Sequence, residues 1–206
     1  MKQITSYIQE GLRINKDTAS KFKYNTEYPS TRDELQEILK KRLKETPDAD
    51  LNDIDVSRIT DMSVLFMCST PGNIKIDQWD VSNVTSMNGM FYNCGDFNAD
   101  LSKWDVSKVE DMNKMFRGCT KFNSDLSNWD VSKVEDMSSM FRRCHEFNCD
   151  ISKWDVSKVE DMAAMFYDCN NFNSDLSNWD VSNVKDMREM FDKCTSLKTL
   201  PSWYKA

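Results

Sequence analysis

Glycine and proline are scarce in this sequence, with five and four residues among 206. So few glycines leave no phosphate-cradling loop and no G-x-S-x-G nucleophile elbow. They also withhold the glycines with which calcium-binding turns close. The single histidine, His145, has no evident nucleophile partner, and no C-x-x-C pair stands ready to join it around zinc. The opening MKQITSYIQEGLRINKD carries neither the apolar run nor the small-residue cleavage site of a secretory signal peptide, and no stretch is long and apolar enough to span a membrane. On that reading the chain is expected in the cytoplasm. Basic charge is short as well: residues 1–50 carry 10 Lys/Arg against 9 Asp/Glu, leaving 17 against 25 for the remainder. An acidic chain without a basic stripe makes a poor nucleic-acid binder, because affinity there comes from neutralising phosphates. These absences point away from an enzyme, a cofactor and a metal site.

What the sequence has in abundance is repetition. LSKWDVSKVEDMNKMFRGCTKFN, residues 101–123, returns almost unchanged at 126–148 and 151–173. Trp79, Trp104, Trp129, Trp154 and Trp179 fall 25 residues apart, and Ile54 holds the same column one period earlier. A fixed period of this size marks units that cannot bury their own apolar faces and must lean on their neighbours. Within a unit, Trp104 and Val106 alternate about Asp105 with the period of a half-buried strand. Val109, Met112, Met115, Phe116 and Cys119 then follow a helical stripe, and Ser107 with Glu110 matches the S-x-x-E capping box. The expected architecture is an α/β solenoid, a right-handed stack of 25-residue strand-turn-helix units about a parallel sheet. About six units would occupy residues 51–206, closed by a truncated C-terminal strand at Leu200, Ser202 and Trp203. Cys94, Cys119, Cys144, Cys169 and Cys194 share one column, with Cys68 one residue off it; stacked equivalents point the same way and read as buried thiols rather than disulfides.

Residues 1–50 read as an N-terminal helical cap and leader. Ile4, Ile8 and Leu12 line one side of a candidate helix over Lys2 to Arg13. A second helix is signalled from Ser30 to Lys44 by the capping boxes Ser30/Asp33 and Thr31/Glu34 and by the stripe Leu35, Ile38, Leu39 and Leu43, ended by Pro47. It would cover the open edge of the first unit.

If Trp and Val point inward, the residues flanking Trp face water. Those are Gln78 and Asp80, Lys103 and Asp105, Asn128 and Asp130, Lys153 and Asp155, and Asn178 and Asp180, and together they form the candidate binding face. Aspartates stacked about 5 Å apart repel by roughly 0.8 kcal/mol per pair in water. An Asx-turn from Asp105 to the Ser107 amide, with Lys103 and Lys108 nearby, would offset that. A second polar ladder runs through Asn73, Asn98, Asn123, Asn148 and Asn173, with Asp100, Asp125, Asp150 and Asp175 two residues on. Buried Asn there would satisfy loop backbone groups from unit to unit, and calcium held between turns is the alternative reading.

The units, for example FNADLSKWDVSKVEDMNKMFRGC at 97–119, closely resemble the BspA-like leucine-rich repeat proteins of bacteria, in the branch marked by W-D-V-S and M-F-x-x-C. The likeness covers about residues 51 to 200. It implies a leucine-rich-repeat fold with L-x-x-W-x-V for L-x-x-L-x-L, a role in surface display, adhesion and protein binding, and no enzymatic activity or obligatory cofactor. It also suggests a cell-surface location if a leader was removed. MKQITSYIQE resembles the short capsid-targeting leaders of some tailed-phage head proteins. The functional expectation is a monomeric, non-catalytic scaffold presenting its exposed face to a protein or peptide partner. The alternatives are a structural or assembly component targeted by its N-terminal helix, and a calcium-stabilised solenoid.

Overall fold

The computed structural model describes residues 25–69, 71–72 and 74–205. The candidate helix at Lys2 to Arg13, the leader-like opening segment and Asn73 lie outside the described residues. One helix, α1 (Arg32–Glu45), opens at the N-cap Thr31, whose hydroxyl accepts from the Glu34 amide at 3.2 Å. Glu34 reaches back to the Ser30 amide at 2.7 Å, so the reciprocal box spans one residue more than the sequence pattern implies. Leu35 and Leu39 on its inner face are buried in the common core. Arg32 donates to the Ser63 carbonyl at 3.2 Å, and Arg42 pairs with Asp53 at 3.0 Å and Glu27 at 3.3 Å. Glu27 bridges to Ile54, which fastens the segment before α1 to the first repeat.

The expected α/β solenoid of strand-turn-helix units around a parallel sheet does not form. Among the described residues α1 is the one helix and there is no strand, only isolated parallel bridges. The L-x-x-W segment is not extended: the Trp104 amide donates back to the Leu101 carbonyl at 3.1 Å, and Val109 to Val106 at 2.9 Å, so each closes a tight turn. The Met-Phe segment is not helical either. Met115, Arg117 and Cys119 donate to carbonyls three residues back, at 3.1, 3.1 and 2.9 Å. Lys114, Phe116 and Gly118 instead donate to Ser138, Met140 and Arg142 of the next unit, at 3.0, 3.0 and 2.8 Å. An α-helix needs successive amides to bond four residues back within one segment; here every second amide leaves the unit. The alternation is enforced by left-handed residues four apart, Lys114 (φ 56°) and Gly118 (φ 79°), matched by Ser139 and Arg143 and by Ala164 and Asp168 in the following units. The capping box at Ser107 and Glu110 starts no helix, since the Glu110 amide goes to the Thr85 carbonyl at 2.8 Å.

The units are therefore 25-residue loops of consecutive turns, laid one on another. Asp61, Ser86, Asp111, Asp136, Asp161 and Asp186 form a row of single parallel bridges along the stack. Inside, like residues meet like. Phe91, Phe116, Phe141 and Phe166 stack ring on ring at 5.6 to 5.8 Å, and the Trp79 and Trp104 indoles lie 6.4 Å apart and 5° from parallel. Each indole N–H is satisfied, Trp104 Nε1 by Ile76 O at 3.0 Å and Trp129 Nε1 by Leu101 O at 3.0 Å. Burying a side chain of this size contributes roughly 1.5–3 kcal/mol. Trp203 lies on Trp179 at 6.4 Å in a turn closed by Tyr204 N to Pro201 O, not in the truncated strand expected there.

Candidate functional site

All ten residues of the expected binding face are exposed: Gln78, Asp80, Lys103, Asp105, Asn128, Asp130, Lys153, Asp155, Asn178 and Asp180. They lie on turns, not on strands, so the face is a set of five parallel turn crests flanking the buried indoles. The aspartates are also structural. Asp80, Asp105, Asp130, Asp155 and Asp180 accept the amide of the serine two residues on, at 3.0 to 3.1 Å. The Ser107 hydroxyl and amide hold the Asp105 carboxyl below the usual carboxylate range, and Ser157 and Ser182 do the same for Asp155 and Asp180. One oxygen of each carboxylate is thus committed to the turn, which fixes the direction in which the other is presented.

The same device recurs in two more columns. Asp100, Asp125, Asp150 and Asp175 accept from the serine two residues on at 2.9 to 3.0 Å. Asp111, Asp136, Asp161 and Asp186 accept from residues 113, 138, 163 and 188 at 2.8 to 3.0 Å. The sequence reading missed this last column, although the D-x-x spacing signals it as clearly as in D-V-S.

The asparagine ladder is exposed rather than buried, but it does join units. Asn98 Oδ1 accepts from the Asn123 amide at 2.9 Å, Asn123 from Asn148 at 2.8 Å, and Asn148 from Asn173 at 2.9 Å. Each of these asparagine oxygens is thereby taken by a backbone amide, that of Asn173 by Lys198 at 3.1 Å. Among the described residues no group of three or more His, Cys, Asp or Glu side chains is placed to hold a metal ion.

The column cysteines turn their thiols onto the preceding unit: Cys119 Sγ donates to Phe91 O and Cys144 Sγ to Phe116 O, both at 3.0 Å. Burial pushes the Cys94 thiol up to about 12 and Cys194 to about 11, suppressing the nucleophilic thiolate. Cys68 is not a displaced member of this column. It is exposed and occupies the left-handed position, φ 55°, that Asn93 and Gly118 take in the next two units. His145 lies 3.6 Å from Asp168. No helix among the described residues is long and apolar enough to cross a membrane.

A family model described as "Mycoplasma protein of unknown function, DUF285" matches residues 34–141 and again 119–205. No curated protein matches the chain.

Proposed function

We propose a binding role for this chain, which belongs to the DUF285 family of proteins of unknown function: it is a non-catalytic repeat scaffold that holds a protein partner along its stacked turns. The observation that carries this reading is the row of Trp-flanking residues, Gln78 and Asp80 through Asn178 and Asp180, exposed on five consecutive turns. Their aspartates are oriented in advance by backbone hydrogen bonds, so little ordering cost remains at binding. Similar crests at regular intervals, each with its aspartate, suit an extended or repetitive protein surface. The likeness of W-D-V-S and M-F-x-x-C to the BspA-like surface proteins points the same way, towards adhesion.

The test uses substitutions that leave the aspartate turns intact. A partner captured by the full chain is offered to a K103E/N128K/K153E variant whose melting temperature matches the parent. Loss of that partner supports the face; equal recapture overturns it, and failure of the parent to capture any protein overturns the scaffold reading itself.

A further inference from the structure

The repeated face is nearly the same in every unit, and so it cannot tell one stretch of a partner from another. The units differ instead further along the turn, on both sides of the Met-Phe pair. The columns that begin at Asn88, Gly89, Tyr92 and Asn93 hold, over the next three turns, Lys114, Arg117, Arg142 and Arg143 against a single acid, Asp168. In a chain of net charge −7 this corner is locally basic. Core columns are constant because stacked side chains must match; these columns are free of that demand.

The corner is also ordered. The Arg117 guanidinium lies over the Tyr92 ring at 5.2 Å and that of Arg142 over the Tyr167 ring at 4.0 Å, so each arginine is held against an aromatic ring. Arg142 has a long contact with Glu189 at 3.7 Å, its Nε–H is buried without a hydrogen-bond partner, and Arg143 is exposed. Beside them Val64, Met67 and Tyr92 line a depression of about 310 Å³ that Lys114 and Arg117 close on one side. Met67 is 49% exposed in it. An apolar seat rimmed by a lysine and an arginine takes an apolar side chain carried on an acidic backbone segment.

We propose that this corner recognises an acidic segment of a partner protein, its carboxylates on Arg117, Arg142 and Arg143 and one aromatic or aliphatic side chain against Met67 and Tyr92. The proposal deepens the scaffold reading and rests on it. Nucleic acid fits less well, because four basic residues on an acidic chain neutralise few phosphates.

The experiment measures fluorescence anisotropy of a short labelled Glu/Asp peptide with one central Phe against the full chain, at low and at physiological ionic strength. Binding is expected to weaken with salt. It should weaken at least about tenfold in an R117A/R143A variant that melts like the parent, and recover in R117K/R143K. An unchanged affinity in R117A/R143A overturns the proposal. So does equal or tighter binding of a single-stranded oligonucleotide or of anionic lipid vesicles. If the parent ignores the peptide yet still holds a protein through Lys103, Asn128 and Lys153, the corner assignment falls and the scaffold reading stands.

Discussion

Trp129 Nε1 donates to the carbonyl of Leu101, 28 residues earlier, at 3.0 Å. One side chain thereby fills the core of its own turn and satisfies the backbone of the turn before it. Trp129→Phe keeps an aromatic in the stack but removes one of the two donors to that buried carbonyl, which retains the Trp104 amide, at a cost of about 0.5–1.5 kcal/mol. Trp129→Ala should cost about 3–5 kcal/mol. Urea denaturation of both variants checks the order; equal stability of parent and W129F would remove the indole hydrogen bond from the account.

The asparagine ladder predicts a sharper contrast. Asn123→Ala deletes the oxygen that accepts the Asn148 amide and should cost about 0.5–1.5 kcal/mol. Asn123→Asp keeps an acceptor in the same place and should be much milder. Amide hydrogen exchange at Asn148 is expected to quicken in N123A and not in N123D.

Ser139 sits at φ 57°, where an L-residue is disfavoured by about 1–2 kcal/mol. Glycine is free of that penalty but gains about 0.5–1 kcal/mol of unfolded-state freedom. Ser139→Gly should therefore stabilise by up to about 1 kcal/mol, whereas Ser139→Ala should not. Chemical denaturation of the pair decides it.

Acid should loosen the stack through its aspartates. Ser107 hydroxyl and amide hydrogen bonds depress Asp105, those of Ser102 and Ser152 depress Asp100 and Asp150, and Arg188 draws Asp186 down to about 2. Groups with lowered folded values bind more protons when unfolded, so their contribution is complete above the unfolded value near 3.9 and is lost as pH falls through the folded values. Melting temperature should be flat from neutral pH to about 5 and then fall progressively towards pH 2. A flat profile down to pH 2 would mean that the aspartate turns add nothing.

Features set by local chemistry or by the 25-residue register were legible in the sequence. The inward columns from Trp79 to Phe172 are buried, Thr31 and Glu34 cap α1, and Asp105 closes its turn on Ser107. The secondary structure of the repeats was not legible, although that of α1 was. Val109, Met112, Met115, Cys119 and Phe122 place an apolar residue inward nearly every third position, which consecutive turns satisfy as well as a helix does. What separates the two is where the amides go, and the amides of Lys114, Phe116 and Gly118 bond to a unit that a local pattern does not contain. Cys68 misled for a related reason: it fills a left-handed position that glycine or asparagine would have announced. The basic corner at Arg117 and Arg142 was hidden because the motif reading attends to what the units share, and these residues are what they do not.

Stacked turns and strand-helix units differ most directly in the acceptor of one amide, that of Met112. Scalar couplings across hydrogen bonds, measured by NMR on uniformly labelled protein, report it. The stack requires a coupling from Met112 nitrogen to the Asp136 carbonyl carbon, a contact of 2.9 Å, and from Phe116 nitrogen to Met140. Couplings from Phe116 to Met112 and from Met115 to Asp111, the four-back pattern of a helix, would contradict it.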